Sequence, residues 1–185
     1  AGVDGLIAVN NRAGGHAGTR SAHELYERLA GYRLPLICAG GIGTEQDFIA
    51  ALRMGYAGVQ MGTRFIATRE CGASEAYKRA IVAAQERDIV LSERMTGVPV
   101  SVIATPSVLS LGLQAGVVAR WMLRGRKTKH LMRTVYALRS LWQLKRAALD
   151  LSGVMDYWQA GKSVAGIHSV EPAAEIIRRY AAAAR

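Results

Sequence analysis

One histidine, His16, closes the run Ala13-Gly14-Gly15-His16, and a third glycine, Gly18, follows it. An imidazole takes up a proton near neutral pH, which few other side chains do. Glycines beside it let a backbone approach a bound molecule with no Cβ in the way. That combination fits a general base held against a ligand. It also fits a histidine hydrogen-bonded inside its own turn, and position alone leaves both readings open. Two later stretches share the glycine-rich character: Ala39-Gly40-Gly41-Ile42-Gly43 and Gln60-Met61-Gly62-Thr63-Arg64. The first runs into a helix start at Thr44, where unpaired N–H groups and the helix dipole favour an anion, a phosphate above all. The second offers another N–H pair and the Thr63 hydroxyl. A glycine pair alone is weak evidence, because turns need glycine for their own reasons.

The elements between these stretches say how they are positioned. Residues 5–9 read as a buried strand, and Leu34 to Cys38 as a second, with Pro35 among its first residues. Ala57 to Met61 reads as a third. Between the first two lies a short amphipathic helix over 23–29, with Ser21 and Glu24 at capping-box spacing. Between the second and third lies a helix starting at Thr44, with Asp47 as the capping partner and Gly55 as a left-handed end. Strand, helix, strand, helix, strand with short connections is the signature of βαβ units in a parallel sheet. Ligands on such sheets collect at the carboxyl ends of the strands. All three glycine stretches sit there, so they are expected to surround one cofactor.

Beyond Arg64 the pattern changes. Ala73 to Gln85 reads as a helix with Tyr77, Ala80, Ile81 and Ala84 on one face, and residues 89–91 and 98–103 as short extended runs. Two longer apolar helices are expected, one near Leu109 to Leu123 ended by Gly125, one carrying Leu131, Val135, Leu138, Trp142 and Leu149. Residues 153–169 read as a mixed loop, and Pro172 to Ala183 as a last helix.

The chain has 185 residues, half of them hydrophobic, enough for a real core and at most a small second unit. No signal peptide is visible, and no apolar run is long enough to span a membrane. Cys38 is expected as a buried thiol and Cys71 as a loop residue; with no disulfide framework, the cytoplasm is the expected compartment. No metal-ligand spacing, phosphate-binding lysine loop or serine-nucleophile elbow is present. The net charge of +10 is concentrated, because residues 95–149 hold no Asp or Glu. Arg120, Arg124, Arg126, Lys127, Lys129, Arg133, Arg139, Lys145 and Arg146 all fall there. A solvated or covered helical face is the preferred reading. Nucleic acid is not expected as a partner, since no nucleic-acid motif accompanies the charge.

Taken together, Ala13-Gly14-Gly15-His16, Ala39-Gly40-Gly41-Ile42 and Gly58-Val59-Gln60-Met61-Gly62-Thr63-Arg64-Phe65 resemble the nitronate monooxygenase family, once called 2-nitropropane dioxygenases. Flavin-dependent enoyl-acyl-carrier-protein reductases are its relatives. The resemblance continues at Tyr77-Lys78, at Thr96 to Val100 and, more loosely, at Trp158 to Ser163. It implies an α/β fold: part of an FMN-binding (β/α)8 TIM barrel, with a smaller, mostly helical inserted domain. Residues 1–64 and 151–185 would belong to the barrel, and 65–150 to the smaller substrate-side domain. It also implies FMN as cofactor. Gly14, Gly41 and the run Gln60, Met61, Gly62 and Thr63 match FMN contacts, and Gly15 and Gly40 complete the expected binding set. His16 matches the catalytic histidine. The implied reaction is oxidation of an alkyl nitronate by O2 to a carbonyl compound and nitrite.

Two departures stand out. The family often places a flavin-contacting glutamine seven residues before the histidine. Here that residue is Val9, and Asn10 or Asn11 is the candidate substitute. The chain is also about half the family's length and resembles its carboxyl-terminal half, so a fragment lacking further flavin contacts is expected. The competing readings are an NAD(P)H-using FMN reductase of enoyl thioesters and, in another class, a basic helical binding module over residues 107–149.

Overall fold

The computed structural model describes residues 2–94, 98–114 and 157–185. The expected helices beyond residue 114, the basic cluster of residues 120–146 and the expected domain boundary at 150–151 lie outside the described residues.

Strands β1 (Leu6–Val9), β2 (Leu36–Ala39) and β3 (Gly58–Gln60) form a parallel sheet in sequential order. The register places Ile7 beside Ile37 and Ile37 beside Gly58, with Val9 beside Ala39 and Ala39 beside Gln60. Helix α1 (Ala22–Leu29) and helix α2 (Glu45–Arg53) make the crossovers. Both start where their capping boxes require: Ser21 with Glu24, and Thr44 with Asp47. Gly55 at φ +103° ends α2 as a left-handed cap, and Pro35 sits one residue ahead of β2 rather than inside it.

The sheet buries one face. Ala8, Leu36 and Cys38 form a core with Ile42, Ala51, Tyr56, Ile176 and Tyr180, and Leu6 and Val59 pack against it. The other face is a correction to the reading of residues 5–9 as a buried strand. Ile7 is 59% exposed and Val9 40%. Both faces of β1 carry apolar residues, so no alternation marked the open one; the period of two emerges only in the burial.

After β3 the chain turns at once into a short helix, α3 (Thr63–Ile66), and then α4 (Glu75–Ala83). Strands β4 (Ile89–Ser92) and β5 (Val100–Ile103) pair antiparallel. The free side of β5 meets two loops, bridging Ser101 to Gly15 and Val102 to Gln159. Ala67, Ile81, Ile103, Ala160, Val164 and Ile167 form a second core where α4, β5 and residues 160–167 meet. Helix α5 (Pro106–Leu111) starts ahead of the helix expected near Leu109 to Leu123 and ends at Gly112, which stands at φ +76°; from residue 115 that expected helix lies outside the described residues. The last helix, α6 (Ala173–Ala183), packs on the first core through Ile176 and Tyr180.

Buried Arg64 ties α3 to α6. It is 2% exposed and reaches Glu171 at 3.0 Å. Glu171 also pairs with Arg179, which in turn holds Glu45 on α2 at 2.7 Å. Burial pushes the Glu171 carboxyl up. The Ser169 and Arg179 hydrogen bonds and the charges of Arg64 and Arg179 outweigh this and hold it below its ordinary value.

Candidate active site

The carboxyl ends of β1, β2 and β3 open into one cavity of about 560 Å³. Its lining includes the whole expected cofactor and catalytic set: Gly14, Gly15 and His16; Gly40 and Gly41; Gln60, Met61, Gly62 and Thr63. Three loops up to about 50 residues apart converge because parallel strands put their carboxyl ends on one edge.

His16 lines this cavity and is exposed; among the described residues its side chain has no hydrogen-bond or ion-pair partner. A histidine locked inside its own turn is not what the fold builds. The loop backbone is nonetheless held. Gly15 N–H donates to Ser101 O at 3.3 Å, and Ser101 N–H donates back to Gly15 O at 2.7 Å. Gly14 packs so tightly on the 160–161 backbone that a Cβ would lie 2.7 Å from Gly161 N.

The glycines of the second loop have a different reason from the one composition suggested. Gly40 and Gly41 adopt φ +112° and +78°, which side-chain-bearing residues avoid. A Cβ on Gly40 would lie 2.6 Å from Ala13 N, and one on Gly41 2.8 Å from Arg12 Nε. Packing between loops therefore demands them, with or without a ligand. The anion site expected at the α2 amino terminus is also corrected. The Asp47 carboxylate accepts from Gly43 N–H at 3.0 Å and from Thr44 N–H at 2.9 Å, so that helix end carries its own anion. Donors stay free one step earlier. Among the described residues, the N–H groups of Gly41, Ile42, Gly62 and Thr63 have no acceptor.

The Thr63 hydroxyl accepts from Gly161 N–H at 3.0 Å, so it braces the 160–163 turn as well as lining the cavity. Gly62 differs from the other glycines. Its φ is −99°, within reach of any residue, and a Cβ there would meet nothing within 4 Å. It leaves open space at the cavity wall beside unpaired donors. A flat, phosphate-bearing cofactor such as a flavin mononucleotide fits that combination. Neither asparagine substitutes for the missing glutamine: Asn10 is 1% exposed with its side chain fully engaged, Asn11 is exposed, and neither lines the cavity. Val9 does.

Further lining residues were not expected at the site, although Tyr77, Gln159 and Ser163 fall in stretches that extend the family resemblance. Tyr77, Tyr157, Gln159, Ser163 and Ile66 complete the lining. Tyr77 donates its hydroxyl hydrogen to Gln159 O and stacks on Trp158 with ring centroids 5.7 Å apart. Burial, with a smaller contribution from Cys71, pushes its phenol up to about 12, so it stays neutral and acts as a donor, not a base. Spacing gave no signal for these residues, since Tyr77 belongs to an apolar helical stripe and reads as core. Lys78 beside it is buried, pairs with Glu75 at 3.2 Å and does not line the cavity. No charged side chain lines the cavity, and no metal-binding cluster exists among the described residues. Cys38 and Cys71 are both free thiols.

The chain is similar to several known proteins. A "probable nitronate monooxygenase" of Staphylococcus saprophyticus is 37% identical over 111 residues, covering 54% of this chain and 31% of that protein. A Mycobacterium tuberculosis protein described as a (3aS,4S,5R,7aS)-5-hydroxy-7a-methyl-1-oxo-octahydro-1H-indene-4-carboxyl-CoA dehydrogenase is 35% identical over 114 residues, covering 60% of this chain and 32% of that one. The solved structure of FabK from Thermotoga maritima superposes with a TM-score of 0.73 at 28% identity, over 98% of this chain and 54% of that chain. The matches thus span about a third of the curated relatives and about half of the FabK chain. The nitronate monooxygenase family model matches residues 1–180, and the chain belongs to that family.

Proposed function

We propose that this chain carries the carboxyl-terminal half of an FMN-dependent enzyme that oxidises alkyl nitronates with O2 to a carbonyl compound and nitrite. The observation that carries this reading is the meeting of His16, three glycine loops and four backbone N–H groups, unpaired among the described residues, in one cavity. In this reading residues 1–64 and 151–185 are barrel, and residues 65–150 form the substrate side, from which Tyr77 reaches the cavity. The open face of β1, with Ile7 and Val9, is then the barrel interior.

Gly41, Ile42, Gly62 and Thr63 would hold the FMN phosphate through their N–H groups, an arrangement that needs no cation in the wall. Gly14, Gly15, Gly40, Gln60 and Met61 would line the rest of the cofactor. Bound flavin supplies the redox chemistry, taking electrons that finally reduce O2. The protein's own part is placement and proton handling. The His16 imidazole takes the α-proton of a neutral nitroalkane on one ring nitrogen, or orients the nitro group of a substrate that arrives as the nitronate. The neutral Tyr77 phenol, fixed by Gln159 and Trp158, bounds the substrate side and keeps water off it.

The test is purification of the intact protein, its visible flavin spectrum, and nitrite release from propyl-2-nitronate under air. A second reading is an NAD(P)H-using flavin reductase of enoyl thioesters; the likeness to a carboxyl-CoA dehydrogenase favours its thioester substrate class alone. Rapid flavin reduction by NADH or NADPH with no nitrite from propyl-2-nitronate would establish that reading over the first. The basic-module reading rests on residues outside the described ones.

A further inference from the structure

Asn10 is polar, 1% exposed, and placed where β1 becomes the histidine loop. Every polar group it owns is used. Its N–H donates to Ala39 O at 2.9 Å, fixing the strand end to β2. Its carbonyl accepts from Ala13 N–H at 3.3 Å and from Gly18 N–H at 3.1 Å, so both ends of the segment carrying His16 close on one residue. Its side chain then spans two loops: Oδ1 accepts from Arg12 N–H at 2.8 Å, while Nδ2 donates to Gly40 O at 2.9 Å and to Cys38 Sγ at 3.6 Å. A carboxamide is the group that offers an acceptor to one loop and a donor to the next from a single planar end. Buried polar groups with all partners in place lock their surroundings into one arrangement.

We propose that Asn10 is a positioning residue of the site. Its side-chain amide sets the loop bearing Gly14, Gly15 and His16 against the loop bearing Gly40 and Gly41, and so fixes the histidine relative to the cofactor wall. Gly40 shows how closely the two are registered, since a Cβ there would lie 2.5 Å from Asn10 Oδ1. The proposal rests on the cavity being a flavin site, but the registry of the loops can be tested without it.

The test uses the intact protein with free FMN as the probe. Asn10→Asp keeps size and the acceptor for Arg12 N–H, but its carboxylate turns an oxygen toward Gly40 O. Asn10→Leu removes both bonds without adding charge. For variants shown to be folded by circular dichroism, FMN affinity is expected to fall at least about tenfold. The kcat for neutral nitroalkane is expected to fall by about ten- to a hundredfold with KM nearly unchanged, the scale of a misplaced reacting group. A purely structural residue would lower Tm and leave both values intact in the folded protein; that result would overturn the proposal. Should neither variant fold, hydrogen exchange on the unaltered protein decides. Slow exchange of Arg12 N–H together with the Asn10 side-chain amide supports the link, and exchange at solvent rates overturns it. If the unaltered protein binds no FMN, the flavin reading fails, and the exchange result still judges the role of Asn10.

Discussion

Gly40 and Gly62 sit at the ends of neighbouring strands and line the same cavity, yet their surroundings differ. Gly40 stands at φ +112° with the backbone of Ala13 where its Cβ would be. Gly62 stands at φ −99° with nothing there at all. In the Gly40 loop glycine is dictated by the protein itself. In the Gly62 loop neither conformation nor packing demands it, and the missing Cβ leaves open space at the cavity wall. Glycine-rich motifs thus mix two demands that composition cannot separate, and only the direction of the missing Cβ tells them apart.

The largest expected effect comes from Gly40→Ala. Left-handed strain and overlap with Ala13 act together, and the loss should reach about 3 kcal/mol. Urea unfolding measures it; an unmoved midpoint would mean that the loops are not packed as described. His16→Asn comes next. FMN should stay bound while turnover of neutral nitroalkane falls about 10²-fold, the usual cost of losing a general base. Unchanged turnover would remove His16 from the chemistry. Gly62→Ala should reverse the Gly40 pattern: stability unchanged or raised by about 0.5 kcal/mol, FMN affinity down by about tenfold, or 1.4 kcal/mol. Fluorescence titration with FMN checks it, and full affinity would place the cofactor elsewhere.

The smallest effect is electrostatic. The Arg12 side chain lies over Gly41 and is held by Glu86 through two bonds of 2.9 and 2.7 Å, with Lys162 at 3.4 Å. The Arg12 hydrogen bond, helped by the charges of Arg12 and Lys162, holds the Glu86 carboxyl below its ordinary 4.5. A depressed folded value means that the stabilisation is present above 4.5 and is lost as pH falls through the lower, folded one. Acid titration followed by hydrogen exchange should therefore loosen the loop at Gly40 and Gly41 ahead of the one at Gly62. Simultaneous loosening would mean that Arg12 does not brace the second loop.

Much of the strand–helix order was legible because its signals are local. Ser21 with Glu24, and Thr44 with Asp47, mark helix starts within four residues, and both caps form. The convergence of the three loops followed from parallel strand order. What could not be read depends on contacts distant in sequence. The open face of β1 is invisible when Ile7 and Ala8 are both apolar. The capture of Gly43 and Thr44 N–H by Asp47 has the same sequence as a vacant anion site. Tyr77, Tyr157 and Gln159 join the cavity only because β5 carries their segments against Gly15. Nor does the sequence say that Asn10 turns inward while Asn11 faces solvent.

The bridge between Gly15 and Ser101 also orders events in time. The sheet pairs segments about 20 to 30 residues apart, whereas the histidine loop is closed by Ser101 and by the 160–161 turn, some 85 and 145 residues downstream. Joining distant segments carries a larger loop-closure entropy and slows their meeting. On a ribosome, strands β1 to β3 are made long before Ser101 and the 160–161 turn can reach the histidine loop. A nascent chain stopped short of residue 160 would hold the histidine motif without the segments that close its loop.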